Sequence, residues 1–200
     1  MNIRPAATAA LTLTALLTLV GCAGTAGSSG GDMPGMNHGD STSSSAPTAE
    51  ANEADITFAS MMIPHHTQAV EMSDTILAKD GVDPRVIELA EQIKAAQQPE
   101  IEQLQGWLED WNASAAEMDG MDHGDGMMTE DDMQALEEST GTDASRLFLE
   151  QMIQHHQGAI DMAQDEVDNG QNPDAVELAE TIIATQTAEI TTMEEILATL

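Results

Sequence analysis

Cysteine and positive charge are scarce in this chain: one Cys and five Lys or Arg stand against 36 acidic residues. With a formal net charge of −31, the surface repels nucleic acid and anionic headgroups, which excludes phosphate-binding roles. Cations are attracted, although solubility or a salty medium accounts for an acidic surface equally well. The lone cysteine closes Leu19-Val20-Gly21-Cys22, behind Arg4 and an apolar run over 6–20. That pattern has the form of a bacterial lipoprotein signal: residues 1–21 are expected to be removed and Cys22 to carry lipid on its thiol. The run is too short and too threonine-rich for a comfortable membrane span. A lipidated Cys22 is no disulfide partner, nucleophile or thiolate ligand. The exported domain must therefore fold without disulfides, and any metal site must use His, Met and carboxylates.

Several motifs are missing as well. There is no nucleophile elbow, phosphate-binding glycine loop, dinucleotide fingerprint or H-E-x-x-H zinc motif. No Glu stands three residues before any paired histidine, so the Glu-x-x-His of di-iron bundles is absent. Nowhere does the sequence alternate with the period of a strand.

What is present is a repeat. Phe58-Ala-Ser-Met61-Met62-Ile63-Pro64-His65-His66 returns ninety positions later as Phe148-Leu-Glu-Gln-Met152-Ile153-Gln-His155-His156. Ala69, Val70, Glu71 and Met72 recur as Ala159, Ile160, Asp161 and Met162. Phe58, Met62, His65, Ala69, Met72 and Ile76 form one stripe with steps of four and three, predicting a helix over 53–79 with a bend at Pro64. Asp83 and Pro84 open a second helix to about Trp111, and the repeat gives a third over 143–168. Asn172-Pro173 opens the fourth, which ends near Leu200; a short helix over 129–138, capped by Thr129, precedes the third. Short turns make each pair antiparallel, and two hairpins with one apolar face each bury those faces as an all-α four-helix bundle.

The domain thus spans 53–200, with halves 53–111 and 143–200 joined by a linker over 112–142. Residues 22–52 read as a flexible tether. The tether carries Met33-Pro-Gly-Met36-Asn-His38-Gly-Asp40, and the linker a near copy, Met118-Asp-Gly-Met121-Asp-His123-Gly-Asp125, followed by Met127-Met128.

Met62, His65 and Met72 share one helical face, with His66 on its flank; Met152, His155, Met162 and His156 repeat the pattern. The partner helices place Gln97 and Glu100, and again Gln186 and Glu189, on their inward stripes. An unpaired buried carboxylate costs several kcal/mol, so each needs a cation or a donor opposite. Counting from the turn near 82 puts His65 level with Gln97 and Glu100, where the carboxylate could orient a ligating imidazole or bind metal directly. A buried His–Glu network that only fixes helix register is the alternative. Thioether and imidazole together suit copper, Cu(I) above all. The bundle ligands expected are Met62, His65, His66, Met72, Met152, His155, His156 and Met162, supported by Gln97, Glu100, Gln186 and Glu189. Met33, Met36, His38, Met118, Met121 and His123 would be auxiliary, looser copper ligands.

The pattern Phe58-x3-Met62-Ile63-Pro64-His65-His66-x2-Ala69-Val70-x-Met72, then Leu89-Ala90-x2-Ile93-x3-Gln97-x2-Glu100-Ile101 and Trp107-Leu108, resembles domain-of-unknown-function family 305. The second copy matches through Met152-Ile153-x-His155-His156-x-Gly158-Ala159-Ile160-x-Met162, then Gln186-x2-Glu189-Ile190-x2-Met193. The departures are Gln154 for the motif proline and Ile196 where the first half has Trp107. The resemblance implies a ferritin-like four-helix fold, often exported, with some members associated with copper binding and tolerance.

The resulting expectation is a lipid-anchored, extracytoplasmic copper-binding protein that sequesters Cu(I) or hands it on. Its partners would be copper ions and, through Cys22, a membrane; self-association and a delivery partner stay open. A metal-dependent oxidase and a helical interaction module with structural histidines are the competing readings.

Overall fold

The computed structural model describes residues 50–113 and 126–200. Cys22, the tether ligands Met33, Met36 and His38, and the linker ligands Met118, Met121 and His123 lie outside the described residues. Among those described there are five helices and no strand: α1 Glu53–Leu77, α2 Pro84–Asp110, α3 Glu130–Glu138, α4 Gly141–Asn169 and α5 Pro173–Leu197. The architecture is the expected four-helix bundle, with α3 as a short additional helix ahead of the second hairpin. None of these helices is long and apolar enough to cross a membrane.

The helix starts follow local chemistry. Asn52 and Asp55 form a capping box at α1, and Thr129 and Asp132 another at α3. Asp83 accepts from Arg85 N, and Asn172 from Asp174 N and Ala175 N, each directly before a proline that supplies the first helical residue. Between α1 and α2 the chain reverses through Gly81 at φ +76°, a conformation that carries no side-chain penalty at glycine. Helices α1 and α2 continue unbroken through Pro64 and Pro99.

Each hairpin packs mainly on itself, and α1 against α4 joins the halves. The joint is antiparallel. Asn52, at the start of α1, donates to Asn169 O at the end of α4 (2.8 Å), while His65 meets His155 in the middle of both helices.

The core has two apolar clusters. One gathers Ala69, Met72, Ile76, Val86, Leu89, Ile93, Phe148, Leu149, Met152 and Met193 with Met128 and Leu136. The other gathers Phe58, Ala59, Met62, Leu104, Leu108, Ala159, Ala163, Leu178 and Ile182. Burying each of the larger side chains contributes about 1.5–3 kcal/mol. On all four long helices, the chain passes from one cluster to the other through a polar pair: His65-His66, Gln97 and Glu100, His155-His156, Gln186 and Glu189. The bundle therefore carries a polar layer between two greasy ones.

Candidate metal centre

Four histidines build this layer. His65, His66 and His156 are fully buried and His155 is 1 % exposed. The rings of His65 and His155 face each other across the α1–α4 joint, with centroids 3.8 Å apart and planes tilted by 40°. Among the described residues no ring nitrogen of either finds a hydrogen-bond partner. That is costly: each buried, unsatisfied polar group costs about 1–3 kcal/mol.

His66 and His156 are held differently. His66 Nε2 lies 2.8 Å from Glu100 Oε2, and His156 Nε2 lies 2.6 Å from Glu189 Oε2. Facing a carboxylate, Nε2 is the nitrogen that donates, and in the neutral imidazole Nδ1 then keeps its lone pair. Both Nδ1 atoms are buried without a partner. The glutamates thus set the tautomer that leaves one nitrogen of each ring free to ligate. Counting from the turn puts Glu100 level with His65; its bond goes to the adjacent His66, and the repeat does the same with Glu189 and His156. Both carboxylates are largely shielded, with side-chain exposures of 17 % and 21 %. Gln97 and Gln186 are buried in the same layer, each with an unpartnered carbonyl oxygen.

Replacing Glu100 with alanine leaves the buried His66 N–H without an acceptor. The expected loss is about 1–3 kcal/mol, read as a lower denaturant midpoint, with glutamine recovering part of it.

Burial holds the His65 ring far below the usual imidazole range, at about 3, and the neighbouring His66 and His156 add to the effect. Burial likewise pushes His155 well below its ordinary value, helped by His65, His156 and His66. Both rings are neutral at physiological pH, the form that binds metals.

The methionines divide by position. Met62 and Met152 are fully buried, each three residues from the facing histidine on its own helix, one on either side of the layer. Met72 and Met162 stand seven residues on, about 10 Å along the axis. Met72 is sealed in the first apolar cluster, whereas Met162 lies half-buried in an outer groove. Among the described residues no three His, Cys, Asp or Glu side chains converge as a metal-holding group. A hard or zinc-like ion demanding several such ligands is poorly served here. Two imidazoles with flanking thioethers serve a soft ion of low coordination number.

Sequence spacing identified every member of this layer. It did not identify the His65–His155 contact, which depends on how the two hairpins cross and leaves no signal in either repeat alone. It also missed Glu166 and Asp55, a buried acidic pair at the outer end of the α1–α4 joint.

A family model described as a domain of unknown function (DUF305) matches residues 55–197. No curated protein matches the chain. Among solved structures, it is similar to a DUF305 protein of Streptomyces coelicolor described as secreted. That match has 32 % identity over 72 % of this chain and 92 % of the other, with a TM-score of 0.67. It is also similar to CopM in the Cu(II)-bound form, with 34 % identity over 72 % of this chain and 96 % of that one and a TM-score of 0.63. CopM in the Cu(I)-bound form matches at 31 % identity over 70 % and 93 % of the two chains, with a TM-score of 0.59.

Proposed function

This chain belongs to the DUF305 family, and from that premise we propose that it is an extracytoplasmic copper-binding protein whose buried histidine layer takes up Cu(I). The observation that carries the reading is the His65–His155 pair: two neutral imidazoles in ring contact, all four nitrogens buried and without a partner among the described residues. A structural histidine would hydrogen-bond at least one nitrogen. Here the unsatisfied lone pairs are explained by a cation that binds them.

Met62 and Met152 supply thioethers from the two sides of the layer, and His66 and His156 offer Nδ1 beside them. Met72 and Met162, two stripe positions beyond the paired histidines on α1 and α4, stand outside this layer. Glu100 and Glu189 fix imidazole orientation; Gln97 and Gln186 present amide oxygens to the same layer. Similarity to CopM, solved with Cu(I) and with Cu(II), supports copper as the ion. The export signal ending at Cys22 and a secreted relative support an extracytoplasmic position. Lipidation of Cys22 would place the bundle at a membrane surface. The Met/His segments Met33–His38 and Met118–His123 would collect copper more loosely and feed the bundle. In such a site the ion is cargo: the chain's part is to strip it of water, hold it away from oxidants and release it.

The test is a Cu(I) competition titration of the full chain against a colorimetric chelator. Replacing His65, His66, His155 and His156 together with alanine is expected to remove the tightest copper equivalent and weaken what remains to the level of the Met/His segments. Unchanged affinity and stoichiometry would overturn the assignment.

A further inference from the structure

The repeat makes two grooves along the α1–α4 joint, and they are treated differently. In one, Met128 and the fully buried Leu136 pack with Met72 and Phe148. The segment carrying them is fastened by side chains of the long helices. Gln68 bonds both the N–H (2.7 Å) and the carbonyl (2.9 Å) of Met128, and Gln151 Nε2 donates to Asp132 O (2.9 Å). That groove is filled.

Among the described residues its repeat-related mate is open, with a volume of about 590 Å³. Phe58, Met61, Gly158, Met162 and Glu166 line it, at the positions of Phe148, Gln151, Gln68, Met72 and Ile76 in the filled one. The exchange of Ile76 for Glu166 is the informative difference. Glu166 is 1 % exposed, and neither carboxyl oxygen has a donor among the described residues. A buried carboxyl at an apolar position costs several kcal/mol unless something compensates it. Its neighbour Asp55 offers no donor: Oδ1 already accepts from Gln171 N (3.0 Å) and Asn172 N (2.8 Å), and Oδ2 from Asn52 N (2.5 Å). Met162 and Glu166 are one turn apart on the same face of α4, and Met61 faces them from α1. Glu53, Asp161 and Asp165 on the rim add negative potential.

We propose that this groove is a second cation site, in which the thioethers of Met61 and Met162 and the carboxyl of Glu166 hold one soft monovalent ion, Cu(I) or Ag(I). The donor set has one carboxyl, whose proton the ion displaces, and two thioethers, which favours a soft ion over calcium or magnesium. The proposal rests on the copper reading only for the identity of its natural ion; the site itself is independent of the histidine layer. Half open and lined by flexible side chains, it fits exchange better than storage.

The experiment uses the full chain labelled at the methionine methyl groups and titrated with silver nitrate. The Met61 and Met162 methyl signals are expected to shift together on adding Ag(I), in the native chain and equally in the H65L/H155L variant. M61L/M162L, with helicity retained by circular dichroism, is expected to bind one ion fewer. E166Q should weaken the groove at least tenfold. Should the histidine reading fail instead, the histidine ring signals stay still while these methyl signals move. Met61 and Met162 signals that do not respond to saturating Ag(I) would overturn the proposal. So would unchanged groove affinity in E166Q, which would leave Glu166 with a proton-holding role only.

Discussion

Replacing both His65 and His155 with leucine is expected to make the metal-free protein more stable, by about 2–4 kcal/mol, while abolishing tight copper binding in the bundle. The facing rings carry four buried nitrogens without partners, and each unsatisfied group costs about 1–3 kcal/mol. Leucine is close to histidine in volume and matches the apolar clusters on either side, so the substitution removes the penalty without opening a cavity. For a domain of this size the thermal midpoint should rise by roughly 5–10 °C. Copper should then reverse the order. Ligand that binds only the folded native chain stabilises it by mass action, and the leucine variant receives no such benefit from this site.

The two readings of the histidines predict opposite signs. If the layer existed only to fix helix register, removing its central pair would destabilise the fold and leave metal affinity untouched. Under the copper reading the pair is a strained, binding-ready element kept at the expense of stability, as functional sites commonly are. Thermal unfolding of native and H65L/H155L protein, each with and without Cu(I), separates the cases in four measurements. A less stable metal-free variant would refute the account of the His65–His155 contact.

Much of this arrangement was legible before the fold was known, for identifiable reasons. Helix boundaries could be placed because Asp83-Pro84, Asn172-Pro173 and Thr129 are local signals whose energetics hardly depend on tertiary context. The stripe through Met62, His65 and Ala69 could be read because a 3.6-residue period reports one buried face. Pairings across the bundle were another matter. Turn counting fixes level along an axis, and both His65 and His66 lie near the level of Glu100; helix rotation decides which of them is met, and the choice fell on His66. Likewise Glu166 looks like one more acid in a chain with 36 acidic residues. Only its repeat partner, Ile76, marks it as misplaced, and only the α1–α4 crossing brings it to Asp55. The role of α3 was similarly hidden, because a nine-residue helix with one buried leucine reads as a connector, not as the filling of a groove.

Glu166 yields the second large effect. Burial first, and then the neighbouring Asp55, raise its carboxyl from 4.5 to about 8. An acid so shifted binds its proton more tightly folded than unfolded. Below about pH 4.5 both states keep the proton and the full contribution to stability is present. Between there and pH 8 the unfolded chain ionises while the folded one does not, so stability falls steadily; above pH 8 both are ionised and the loss is complete. In the metal-free protein this loss is read as a urea midpoint that falls between pH 5 and pH 9. Glutamine at 166 holds a neutral polar group in the same space at every pH. E166Q should therefore flatten the profile and become the more stable protein at pH 9. Asp55, Glu53, Asp161 and Asp165 remain in both proteins, so the difference between their urea midpoints at pH 5, 7 and 9 isolates Glu166. Equal slopes would mean that the buried carboxyl does not hold its proton, and would leave the substitution of Ile76 by Glu166 between the repeats without a physical account.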